Sequence, residues 1–563
     1  MNLPPIEPLL TDLLLKAFEN VLAQQGTSSS VVGSFEVPRE EKFGDLSSNA
    51  VMRLAKQMKI SPRPLAEKIL AETQRLLKNS PLARRIEKSA VEGPGFLNFY
   101  YSTQEIASVL LQIREKGENF GKPSGLKSKK ILLEFVSANP TGPLTVAHGR
   151  QAALGDSLAL ILKYAGHKVD KEYYNNDEGV QINTLAASLK MRVERLVTKT
   201  DLDLPLPENY YQGEYLVDIA KKFIEKFHPA PPFEKFQDKY QTYARDLIME
   251  GIKKDLDNFN VSFDSYYSQE TLGHSGKVEQ CLEELKKKGF VYESEGAVWF
   301  KSTSFGDDKD RVLVKSDKTY TYLLPDIAYH RDKLERKYEF LINILGPDHH
   351  GYIQRIKAAV EALGYSRDML EIKIAQLVTL FEGDKQLRMS TRAGEFITLR
   401  ELLDEVGRDA GRFFFLMRRF DAHLDFDLTL AKSHTMDNPV FYIQYAHARI
   451  ENIKNLCIEK NIPVDKTNAE NLALLSSVSE TQLLRCLRQF PEAVRAAERD
   501  LEPFKLIPYL QELAGAFHRF YADSRVVTDD KTLTEARIML AAGTQTVLRT
   551  GLRLLGVSAP AKM

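Results

Sequence analysis

Cysteine is scarce. The 563-residue chain has three, Cys281, Cys457 and Cys486, far apart and without a Cys-x-x-Cys pair, so neither a disulfide framework nor a paired-cysteine zinc site is indicated. Net charge is lacking too: 77 Lys and Arg balance 77 Asp and Glu, so a polyanionic partner must be held by a local patch rather than by the field of the whole molecule. No run of about 18 apolar residues occurs, and Met1-Asn2-Leu3-Pro4-Pro5 lacks a basic stretch leading into an apolar one. A cytoplasmic, unsecreted protein with no membrane partner is expected. What the chain does have is core-forming bulk: 43% hydrophobic and 27% charged residues exclude disordered and fibrous classes. Its length corresponds to about three or four domains.

Residues 1–110 read as a small α+β domain. Leu9, Leu13, Leu14, Ala17 and Phe18 recur at helical spacing, and the turn-rich stretch Glu36 to Asp45 follows. A second amphipathic helix after Pro64 leads through Gly93-Pro94-Gly95 into a strand at Phe96–Phe99. The polar run Gly121 to Lys130 marks a linker. Beyond it, Ile131–Val136 suits a buried parallel strand, and the Asn/Pro/Thr/Gly/Pro turn opens a long helix from about Val146 to Tyr164. Gly166 ends that helix, and Val169–Tyr174 forms the next strand. A comparable unit recurs at Phe340–Leu345, with Gly346 to Gly351 as its turn, a helix to Leu363 and a strand near Ile372–Leu380. Two such units indicate an α/β Rossmann-type, doubly wound parallel sheet, with its ligand at the carboxyl ends of the strands. This middle domain spans 125–437 and includes an insertion at about 200–300. Strand signals vanish from Asn438 onward, so 438–563 reads as an all-α bundle.

Two stretches carry chemistry. Ser137 to Arg150 lies where a parallel strand hands over to a helix, so free backbone amides and the positive end of the helix dipole face a bound anion. His148, in the first helical turn, can hydrogen-bond phosphate oxygens. Taken alone, an ordinary strand-to-helix loop with a surface histidine accounts for this segment equally well. The second stretch, Phe381 to Gly394, follows the last strand of the second half. Its Lys385, Arg388 and Arg392 can close over a triphosphate, and its small residues admit close backbone approach; the alternative is a solvated charged hairpin.

Together the two loops resemble the paired "HIGH" and "KMSKS" signatures of class I aminoacyl-tRNA synthetases, about 240 residues apart. Within that class the chain resembles the bacterial-type arginyl-tRNA synthetases over nearly its whole length. Glu92 to Phe99, Tyr174 to Gln181, Leu323 to His330, Gly346 to Tyr352, Met389 to Gly394 and Asn438 to Arg449 carry the resemblance by their order and spacing. It implies a ligase of protein biosynthesis that uses ATP, with Mg2+ on the phosphates, to form arginyl-adenylate and then transfers arginine to tRNA(Arg). A monomer is expected, and no resident metal site. A catalytically silent paralogue that only binds RNA is the alternative.

The resemblance also assigns residues. Glu134, Asn139, Tyr322, Asp326 and His350 are implied for arginine, whose planar guanidinium calls for acceptors in a matching fork. Glu134 stands out because a carboxylate inside the apolar run Ile131–Val136 is costly unless it meets a cation; a buried basic side chain would serve as well as the substrate. Such a slot rejects uncharged amino acids by leaving its acceptors unpaired, so no editing domain is required. Catalysis is implied for His148, Thr145, Ser390 and Arg392, and ATP contacts for Ala147, Gly149, Asp348, His349, Met389 and Thr391. Three positions depart from the class pattern: Thr145 replaces the first histidine, Ala147 the usual glycine and Thr391 the second lysine of KMSKS. Lys385, Arg388 or magnesium can substitute for that lysine. The amino-terminal domain is expected at the tRNA elbow and the helical tail at the anticodon, with Arg485, Arg488, Arg495 and Tyr445 as tRNA contacts. The tail's Phe490, Phe517, Phe520 and Tyr521 fit either base stacking or the bundle core.

Overall fold

The computed structural model describes residues 6–24, 35–38, 40–200, 204–227, 229–349, 351–387, 397–463 and 469–563. In the amino-terminal part, helices Ile6–Ala23 and Pro62–Leu77 pack on an antiparallel sheet of β1 (Leu46–Ser48), β2 (Ile86–Glu92) and β3 (Phe96–Tyr101), in the order β1–β3–β2. The edge strand β2 escapes the apolar pattern because Glu87, Lys88 and Ser89 interrupt it, as suits an edge that must not pair further.

The central sheet is five-stranded and parallel. Its members are β4 (Lys130–Glu134), β5 (Lys168–Asn175), β6 (Ser265–Ser268), β10 (Phe340–Leu345) and β11 (Leu370–Ile374), in the order β11–β10–β4–β5–β6. A meander of β7 (Val291–Ser294), β8 (Ala297–Phe300) and β9 (Arg311–Val314) separates the two halves in sequence. Winding starts in the middle of the sheet and runs first to one edge and then to the other, so the topological switch lies between β4 and β10, where a ligand cleft is expected. Ile131, Leu132 and Leu133 are buried on both faces of β4, which is why that strand reads as a continuous apolar run.

The crossover helix Val146–Tyr164 is buried around nearly its whole circumference. Its approach to the sheet requires glycine at 155, where a Cβ would lie 2.3 Å from the Phe135 ring. The strand expected near Ile372–Leu380 is two strands, β11 and β12 (Val378–Glu382), in different sheets. The chain breaks at Ala375–Leu377 because the buried guanidinium of Arg150 gathers the carbonyls of Gln376 (2.8 Å) and Leu377 (3.2 Å), along with those of Arg419 and Ala422 (2.8 Å each). β12 then pairs with β13 (Lys385–Gln386) and β14 (Leu424–Asp427). The tail packs helices Pro439–Glu459, Val478–Arg499, Leu506–Asp523 and Lys531–Leu554, the first capped by the Asn438 side chain. Phe490, Phe517 and Phe520 lie in its core and Tyr521 on its surface. Among the described residues no helix is long and apolar enough to cross a membrane, and the three cysteines are free and buried.

Candidate active site

The signature loop begins with backbone strain. Just past β4, Val136 (φ 68°) and Ser137 (φ 40°) occupy the left-handed region, which for a β-branched residue costs about 1–3 kcal/mol and persists only where the surroundings enforce it. Here they do. The Ser137 hydroxyl donates to Glu134 Oε1 (3.1 Å) and accepts the Tyr174 amide (3.1 Å). Tyr173 donates to the Ala138 carbonyl and Tyr215 to that of Thr141, both at 2.6 Å. Asn139 donates to Gln181 (2.7 Å).

At the helix start, Thr145 is the N-cap. The Thr145 amide donates to Nδ1 of His148 at 3.1 Å, and the Thr145 hydroxyl lies 3.1 Å from the same nitrogen. Burial pushes the imidazole down to about 4, so it is neutral at physiological pH. With Nδ1 accepting, its proton sits on Nε2, leaving a neutral donor. Ala147 is exposed beside it. Gly149, expected against ATP, is buried, and a Cβ there would meet Leu399 at 2.6 Å and the Phe415 ring at 3.1 Å. Its missing side chain admits Leu399 and Phe415, from two later helices.

Met389, Ser390, Thr391 and Arg392, with Arg388, lie outside the described residues, as does His350. The chain just after that loop is described. Thr398 forms an antiparallel bridge with Thr145, and the Leu399 amide donates to the Leu144 carbonyl at 2.8 Å. The first signature segment therefore meets the chain that follows the second.

Beside them, the switch point holds a line of polar side chains: Glu172 on β5, Glu134 on β4 and Asn343 on β10 stand in register across the sheet. Helix Leu323–Glu335 crosses above with a polar stripe at helical period, Asp326, Tyr329, His330 and Lys333. The fully buried Lys333 pairs with Glu134 Oε2 and donates to Asn343 Oδ1 at 3.0 Å. Asn343 Nδ2 donates to His330 Nε2 (2.9 Å), and His330 Nδ1 donates to the Asp326 carbonyl (2.8 Å). Arg336 grips Glu172 with two bonds (2.7 and 2.8 Å), and Tyr329 adds a third (2.7 Å).

Glu134 thus has the buried basic partner that the sequence offered as an alternative to the substrate. Asp326 is different. It has no ammonium of its own, and burial together with nearby Glu134 pushes its carboxyl up to about 7, against a hydrogen bond from Tyr352 and the more distant Lys333. Tyr322, expected beside Asp326, is the N-cap of the helix and 80% exposed. Asp348 and His349 sit exposed on a short 3-10 turn after β10. Lys333 carries no signal in the sequence, since a lone lysine on a helix reads as surface. Asn343, a polar residue inside the apolar Phe340–Leu345, could have been found as Glu134 was.

Two of the expected tRNA contacts have partners within the protein. Arg485 pairs with Asp45 (3.0 Å); Arg488 donates to the Glu105 carbonyl (3.0 Å) and covers the Tyr101 ring at 4.7 Å. Both clamp the tail onto the amino-terminal domain while staying partly exposed. Arg495 is half-exposed near Glu492. Tyr445 stacks between Phe441 and His518, with Arg449 over its ring at 4.5 Å.

Comparison with known proteins accords with this geometry. Family models match three consecutive regions: the arginyl-tRNA synthetase N-terminal domain at 10–101, the class I (R) tRNA synthetase catalytic domain at 106–414 and the DALR anticodon binding domain at 443–563. The arginine–tRNA ligase of Bacillus licheniformis is 44% identical over 546 residues, 96% of each chain, and that of Bacillus subtilis 43% over 547. The solved structure of Thermus thermophilus arginyl-tRNA synthetase, 21% identical, shares the fold with a TM-score of 0.73 over 99% of this chain and all of that one. None of these relatives favours a silent RNA-binding role. By its sequence kinship, its three matched domains and its parallel-sheet fold, the chain belongs to the arginyl-tRNA synthetases, class I ligases that use ATP to join arginine to tRNA.

Proposed function

We propose that arginine lies in the slot between β4 and the helix Leu323–Glu335, its guanidinium on Asp326 and Glu134, with Asn139 beside it and Tyr322 folding over it from the helix end. ATP lies against the helix start at Thr145, with its phosphates toward His148. The observation that carries this reading is the backbone union of Leu144–Thr145 with Thr398–Leu399 beside the Glu134–Asp326 pair. The arginine carboxylate attacks the α-phosphorus and pyrophosphate leaves, so no protein nucleophile is needed. The protein's part is alignment and stabilisation of charge on the phosphate, through His148 Nε2–H and the free amides of the first helical turn.

Mg2+ comes with the ATP phosphates in this reading. No group of three or more metal-ligating side chains comes together among the described residues. In this reading the enzyme is a cytoplasmic monomer; the free, buried cysteines accord with a reducing compartment. The tail reads the anticodon region through the Tyr445–Arg449 surface and Arg495, with the amino-terminal domain at the tRNA elbow. Charging of purified tRNA with labelled arginine tests the assignment: Asp326→Asn is expected to raise the Michaelis constant for arginine far more than that for ATP, and an unchanged arginine dependence removes Asp326 from the slot.

A further inference from the structure

Lys333 is fully buried and spans two strands, pairing with Glu134 on β4 and donating to Asn343 on β10 across the switch point. A buried ammonium costs several kcal/mol unless its geometry is satisfied, and here two of its three donors meet named acceptors. The relay continues through Asn343 and His330 to the backbone carbonyl of Asp326. The helix that carries Asp326 is thereby fixed in height and rotation over the sheet. The ammonium also cancels one of the slot's two carboxylates: Glu134 and Lys333 sum to zero, and Asp326 alone is left to face a cationic side chain. Without that ammonium, Glu134 would push the Asp326 carboxyl up further and the slot would hold its proton to higher pH.

We infer that Lys333 is a positioning residue for amino-acid recognition, holding Asp326 over Glu134 and setting the net charge of the slot to match one guanidinium. This rests on the reading of the slot given above. The groups that face the pair are Glu172 and Tyr174 from β5, Tyr329, His330 and Asp326 from the crossing helix, Tyr352 from the helix after β10, and Arg336, which Glu172 engages. Of the nearby cations, only Lys333 touches Glu134 among the described residues.

The test is steady-state kinetics of tRNA charging by the full-length enzyme, with arginine and ATP varied separately between pH 6 and 9. Lys333→Met is expected to raise the arginine Michaelis constant about tenfold or more, with that for ATP within about twofold, and to shift the midpoint of the arginine pH profile upward by about one unit. Lys333→Arg restores part of both effects. If Lys333→Met does not fold, Glu134→Gln serves: it leaves the ammonium uncompensated, so arginine should lose its advantage over its neutral isostere citrulline, measured as the ratio of citrulline inhibition constant to arginine Michaelis constant. Equal changes in the arginine and ATP constants, an unmoved pH midpoint, or an unchanged citrulline ratio would overturn the inference. Failure of the slot itself shows separately, as an Asp326→Asn enzyme with normal arginine dependence.

Discussion

Leu399, the first residue of the helix that follows the basic loop in sequence, donates its amide to the carbonyl of Leu144 at 2.8 Å. Neither residue carries chemistry. Their bond ties the chain after the basic loop to the turn before the signature helix, and the proposed nucleotide site depends on it.

The histidine of the signature is set up as a neutral donor. His148→Ala is expected to lower the rate of adenylate formation about 10²-fold while leaving tRNA affinity intact. His148→Gln, which can offer an amide N–H near the position of Nε2, should retain more activity than alanine. Since burial holds the imidazole down to about 4, the rate should show no acid limb from this group between pH 5 and 8. Pyrophosphate exchange across that range checks both expectations, and an ionisation near 6 that vanishes in His148→Gln would refute the second.

Asp326 gives a pH dependence of known sign. Burial pushes its carboxyl up to about 7, and in the proposed slot arginine binds the carboxylate. The arginine Michaelis constant should therefore fall as pH rises from 6 to about 7 and level off above it, with a limiting slope of about tenfold per pH unit on the acid side. Folding runs the other way. A carboxyl whose folded value lies above its unfolded value adds stability that is complete below about 4 and is lost as pH rises through about 7. Isothermal titration with arginine at several pH values, which would also detect the released proton, measures the binding part.

The interdomain clamp separates stability from RNA affinity. Arg488→Ala removes a bond to the Glu105 carbonyl and the cover over Tyr101; a loss of about 1–3 kcal/mol is expected for a partly buried arginine of this kind, with tRNA affinity changed less than about threefold. Arg495→Ala should do the reverse, weakening tRNA binding and its salt dependence at constant stability. Thermal unfolding together with filter binding distinguishes the two, and a strong tRNA defect in Arg488→Ala would return that residue to the nucleic-acid surface.

Gly155 is set by contact, not by turn geometry. Gly155→Ala would force a methyl into the Phe135 ring at 2.3 Å, so a destabilisation of about 1–3 kcal/mol is expected, with displacement of β4 and hence of Glu134. Denaturant unfolding gives the first quantity and the arginine Michaelis constant reports the second.

The amino-acid order alone determined the strand, loop and helix of each half, because apolar runs, turn residues and helix caps act over a few neighbours; Val146–Tyr164 and Phe340–Leu345 fall where their patterns put them. It also marked Glu134, since an acid amid Ile131–Val136 demands a cation. Which cation was beyond its reach. A lysine on a helix is amphipathic by itself, and only the packing of Leu323–Glu335 across the switch point buries Lys333 against Glu134. Tertiary structure likewise directed Arg485 and Arg488 to acidic and aromatic partners on the amino-terminal domain, closed the Gly149 position with Leu399 and Phe415, and left Tyr322 in solvent. Local pattern sets elements because its energies are local; the destination of a long charged side chain depends on which distant surface arrives beside it.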